Sequence, residues 1–94
     1  MDTKQKQEAI ERIADIRFGV DLHDRVTASP IGLEDGSEPG ILRGLCGRGA
    51  TQDEAVENLF RLMYASPRLI RGAYTTRRAY IWHEASQAFV GISE

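Results

Sequence analysis

Cysteine, histidine and lysine are all scarce in this chain, and each scarcity closes off a class of function. A single cysteine, Cys46, among 94 residues allows no internal disulfide. The two histidines, His23 and His83, lie far apart and do not combine with it into a ligand set at zinc spacing. No apolar run approaches the roughly 18 residues that a membrane span requires. The N-terminal stretch MDTKQKQEAIERI is charged and lacks the apolar centre of a secretory signal. A soluble, cytoplasmic chain is therefore expected, with no membrane, no metal and no other cofactor. With 41% apolar residues, its length allows one modest core, and residues 1–94 read as a single domain.

Lysine occurs only at Lys4 and Lys6, so the remaining basic residues are arginines. Arginine suits planar, bidentate contacts with carboxylates and phosphates. The formal charge of −2 is unevenly spread: residues 1–38 carry a net −4 and residues 39–94 a net +2. Between Arg61 and Arg78 lie five arginines and no acid. This segment can meet phosphates, an acidic partner, or the chain's own acidic half.

Along the chain, Ala9, Ile10, Ile13 and Ala14 recur at helical spacing and predict an amphipathic helix over Lys4–Ala14, capped by Asp2 or Thr3. The period then changes to two: Ile16, Phe18, Val20 and Leu22 alternate with polar residues or glycine, as in a half-buried strand. The competing reading carries the helix on to Phe18 and ends it at Gly19. Arg25–Ile31 reads as a further strand closed by Pro30. LEDGSEPG, residues 33–40, reads as an exposed turn or loop, and strand pairing resumes over Ile41–Arg48. Thr51, with Glu54 three residues later, fits a capping box and starts a helix over 51–65, stopped by Ser66-Pro67. Thr76–Trp82 and Gln87–Ile92 read as a terminal hairpin turning through HEAS. Together these elements predict a two-layer α+β domain, an antiparallel sheet of about four to five strands packed by the 51–65 helix with the N-terminal helix beside it.

Several residues invite chemistry and are weighed against plainer roles. GRGAT before a helix has the outline of a phosphate loop, but neither G-x-x-x-x-G-K-[ST] nor G-x-G-x-x-G is present, and Asp53 and Glu54 put negative charge where an anion would sit. The simpler role for Gly47 and Gly49 is backbone freedom at the strand-to-helix junction. Cys46 with His83 would make a nucleophile and base only if the two side chains met; otherwise Cys46 is a small apolar residue on a strand. His23 between Asp21 and Asp24, and the carboxylates Glu34, Asp35 and Glu38, are open to the same dual reading. In the terminal hairpin, Ala79, Ile81, Ala88 and Val90 share one side, while Arg78, Tyr80, Trp82, Gln87 and Phe89 share the other. Exposed rings beside arginines would stack bases or anchor a protein; the same rings turned inward would be core.

The segment Gly44–Phe60, with its pattern G-x-x-x-T-x-x-E-A-x-x-N-L, resembles the strand-to-helix passage of the HicB-like antitoxin family. The resemblance implies a helix packed on the sheet that precedes it. The order helix, strands, helix is also similar to the double-stranded-RNA-binding arrangement, although the helix start here is acidic. In size and general character, including the ending RRAYIWHEASQAFV, the chain is similar to small bacteriophage accessory proteins, among them anti-CRISPR proteins. The resulting expectation is a non-enzymatic binding or inhibitor protein acting on a host protein or nucleoprotein complex. Its expected surface comprises Arg68, Arg71, Arg77, Arg78, Tyr80, Trp82 and Phe89. The alternative is a nucleic-acid-binding module using the arginine-rich segment 61–78, and an exposed sheet edge would admit a second copy as partner.

Overall fold

A computed structural model describes residues 1–72 and 77–92. In chain order the elements are α1 (Thr3–Glu11), β1 (Ile16–Val20), β2 (Val26–Pro30), β3 (Leu33–Glu38), β4 (Ile41–Gly44), β5 (Gly47–Gly49), α2 (Gln52–Ala65), β6 (Leu69–Arg71), β7 (Arg78–His83) and β8 (Ala88–Ile92). The α+β class and the antiparallel pairing are as expected. The strands divide between two sheets, one of three in the order β1-β2-β5 and one of five in the order β4-β3-β6-β7-β8.

The division follows from where the chain turns. β1 and β2 form a hairpin, with Ile16 opposite Pro30 and Val20 opposite Val26. Its turn is held by the Asp21 carboxylate, which accepts hydrogen bonds from the His23 and Arg25 amides at 2.8 and 3.0 Å. The strand expected to reach Leu22 stops at Val20, and Leu22 is fully exposed at the tip of this turn. Only Ile16 and Phe18 of β1 reach the core. After β2 the chain enters the second sheet through Gly32, at φ +74°, makes the β3–β4 hairpin, and returns at β5 to pair with β2.

Two readings of this region are corrected. LEDGSEPG is not a loop: Leu33–Glu38 is strand, and the reversal falls at Pro39-Gly40, where Gly40 has φ +78°. The Asp-Gly dipeptide is absorbed as a register shift between Asp35 and Glu38. A Cβ at Gly36 would lie 2.6 Å from Ile70 Cγ1, so glycine lets β3 pass this side chain closely. The single strand expected over Ile41–Arg48 is two strands in different sheets. Leu45 is drawn into the core between them, and Cys46 sits in that crossing rather than on a strand.

α2 lies across β2 and β5 and reaches β7, while α1 packs on α2 and touches β8. Thr51 caps α2 by accepting the Glu54 amide at 3.2 Å. A full capping box forms instead at α1, between Asp2 and Gln5. Ala55, Val56, Leu59, Phe60 and Met63 form the buried stripe of α2. Gly47 and Gly49 do serve the junction, though for a different reason from the one expected. Neither has a positive φ; a Cβ on Gly47 would come 2.8 Å from Leu59 Cα, and one on Gly49 2.9 Å from the Ala55 nitrogen. The helix rests directly on the β5 backbone, and the Asn58 side-chain amide donates to the Arg48 carbonyl at 2.6 Å to fix it there.

Candidate binding surface

The seven residues expected to form one surface are divided by the fold into three groups. Trp82 and Phe89 are opposed across the β7–β8 hairpin and turn toward α2. Phe60 meets Trp82 edge-on at 5.2 Å and Phe89 at 5.9 Å, and Tyr64 lies 5.8 Å from Trp82. Phe89 is only 6% exposed, and Trp82 is packed against the core. The shared side of the hairpin was legible from alternation, but these two rings are chiefly structural. Their outward assignment is corrected because the end of α2 covers them.

A carboxylate closes the margin of this cluster. Glu84, in the β7–β8 turn, accepts from the Trp82 indole at 2.8 Å, the Gln87 amide at 3.0 Å and the Tyr64 hydroxyl at 3.1 Å. The hydrogen bond from Trp82, followed by those from Gln87 and Tyr64, holds the Glu84 pKa below the ordinary carboxylate range. The same carboxylate pushes the Tyr64 phenol up.

The second group lines a concavity that reaches the β4 edge of the five-stranded sheet. Arg68 and Arg77 line a concavity of about 720 Å³ with Glu34, Glu38, Ile41, Leu42 and the backbone of three glycines. Ile41 and Leu42 belong to β4, an edge strand exposed along its whole length, and are 47% and 40% exposed. Glu38 is paired with Arg43 at 3.0 Å. Sequence reasoning did not find the β4 contribution. Its one signal was the adjacent pair Ile41-Leu42: neighbouring strand residues point to opposite faces, so both cannot enter one core.

The third group is Arg71, Arg78 and Tyr80, which with Gly72 line a smaller concavity of about 290 Å³. Gly72, at φ +98°, borders both concavities. Arg61, at the start of the arginine-rich segment, is elsewhere: it lies on α2 beside Lys6, Glu57, Phe60 and Tyr64. The segment 61–78 is therefore not one continuous basic face. Residue 76, expected to begin the last hairpin, lies outside the described residues.

The remaining candidates have structural partners. The Cys46 thiol lies 3.8 Å from its neighbour's carbonyl, that of Gly47, whereas His83 Nδ1 lies 2.7 Å from the Ser86 hydroxyl. Among the described residues no hydrogen bond joins Cys46 to His83. His23 serves the Asp21 turn through its backbone. Asp35 accepts from the hydroxyls of Ser37 and Ser66, linking β3 to the end of α2. Burial alone would raise the Asp35 pKa; these hydrogen bonds, with that from the Ser37 amide, bring it below the ordinary value. Among the described residues no three His, Cys, Asp or Glu side chains gather to share a metal ion, and no helix is long and apolar enough to cross a membrane. No protein-family model, curated protein or solved structure matches the chain.

Proposed function

We propose that the chain is a non-enzymatic binding protein that inhibits a partner protein or protein complex. Its contact surface is the concavity that β4 lines together with Arg68 and Arg77. The observation that carries this reading is the company Arg68 and Arg77 keep: exposed Ile41 and Leu42, and the carboxylates of Glu34 and Glu38. Aliphatic side chains within a rim of both charge signs suit a protein interface, where arginine is enriched around an apolar centre. The two glutamates offset the two arginines, so the concavity offers a polyanion no net positive charge, and the rings best able to stack bases are engaged beneath α2. The similarity to small bacteriophage proteins makes a bacterial host protein the expected class of partner.

Tagged protein and a Leu42→Asp, Arg77→Glu variant, each passed through nuclease-treated bacterial lysate, test this. The expected result is a partner retained after nuclease by the parent and lost by the variant, with both circular dichroism spectra alike. Capture indifferent to the substitutions would remove the proposal. Capture abolished by nuclease would favour the nucleic-acid reading, which the exposed Arg71 and Arg78 support.

A further inference from the structure

Arg71 and Arg78 are direct register partners across β6 and β7. Like charges directly opposite each other on a sheet are destabilising. Neither guanidinium takes part in any ion pair among the described residues, whereas Lys6, Arg43 and Arg48 are paired with Glu57, Glu38 and Asp21. Tyr80 follows Arg78 by two positions, on the same side of the strand, and the three side chains with Gly72 line one concavity. Gly72 brings no side chain, and the concavity of about 290 Å³ is large enough for a group of a few atoms.

We propose that Arg71, Arg78 and Tyr80 form a binding site for a doubly charged tetrahedral oxyanion, the chemistry of a phosphate monoester or of inorganic phosphate. Each guanidinium presents a planar fork that matches two oxygens of such a group. Two cations call for a dianion; a single carboxylate would leave one guanidinium uncompensated. The site goes beyond the proposed protein contact and is tested without any partner.

The experiment follows the arginine Nε–H signals by NMR at neutral pH during titration with inorganic phosphate, glycerol phosphate or acetate, at matched ionic strength. Saturable shifts of Arg71 and Arg78 with either phosphate, and none with acetate, are expected. The stronger of the two phosphates tells a free anion from an esterified group. Arg71→Gln or Arg78→Gln should weaken binding at least tenfold, as read on the remaining arginine. Arg78→Lys, which keeps the charge and loses the fork, should weaken it severalfold and covers the case of a poorly folded glutamine variant. Binding of glycerol phosphate should also fall severalfold near pH 5, below the second phosphate pKa of about 6. Shifts that never saturate, that acetate reproduces, or that persist in the Arg71→Gln, Arg78→Gln double variant on other residues would overturn the assignment.

Discussion

Trp82 and Phe89 face each other across the β7–β8 hairpin with ring centroids 5.0 Å apart and planes at 70°, an edge-on contact. Phe60 of α2 stacks its own edges against both, so this trio joins the second sheet to the helix that covers the first. Phe89→Ala would open a cavity at this junction and is expected to destabilise the fold by about 3 kcal/mol. Urea unfolding followed by tryptophan fluorescence measures it. A loss below about 1 kcal/mol would mean that the trio is not the joint between the two sheets.

Glu84 gives the same joint a pH dependence. Its folded pKa is lowered by the hydrogen bonds from Trp82, Gln87 and Tyr64. The stabilisation it contributes is therefore present above the unfolded value, about 4.3, and is lost as pH falls through the lower folded value. The stability difference between the parent and Glu84→Gln should be largest near neutrality and shrink below about pH 4. The midpoint of the Glu84 carboxyl, read by NMR, should fall below that of a free glutamate. A difference that stays constant with pH would exclude the carboxylate as the acceptor that matters.

Helical spacing and capping chemistry made both helices and the α2 boundaries legible in the sequence, because these signals are local. The inward turn of Trp82 and Phe89 was not legible. Alternation puts residues on a common side of a hairpin, but only the position of α2, set by β2 and β5, decides which side is covered. The β3 strand was hidden for a related reason. Asp35-Gly36 looks like a turn when read locally, and it is held in a strand by pairing with β6 and by Ile70 passing close to Gly36. The four arginines were found as residues but not as groups, since the split between two concavities depends on the β6–β7 register.

The junction glycines distinguish lack of space from backbone freedom. A Cβ at Gly47 would collide with the α2 backbone, whereas one at Gly44 meets nothing within 4 Å. Gly47→Ala should therefore destabilise by about 1–3 kcal/mol or more, as overpacking does, and Gly44→Ala by far less. Paired thermal melts measure the contrast. Equal effects at the two positions would show that α2 does not rest on the β5 backbone as closely as described.

Glu57 ties the N-terminal helix to α2 through two contacts from α1: the Thr3 hydroxyl and the Lys6 ammonium, each at 2.6 Å. The hydrogen bonds from Lys6 and Thr3 lower its pKa, so this tie too weakens as pH falls through the folded value. Its side chain is a third exposed and that of Lys6 about a quarter, which places the ion pair among screened, surface-type pairs worth about 0.5–1 kcal/mol. Because both donors share one carboxylate, Thr3→Val and Lys6→Met should not act independently. Each donor holds the Glu57 carboxylate in place for the other, so once either is lost the second contact weakens too, and the double variant should lose about 0.5 kcal/mol less than the sum of the single variants. A double-mutant cycle by urea unfolding at pH 7, repeated at high salt, measures this coupling. Additive losses would mean that α1 is held by Ile10 and Ile13 in the core, with Glu57 solvated beside it.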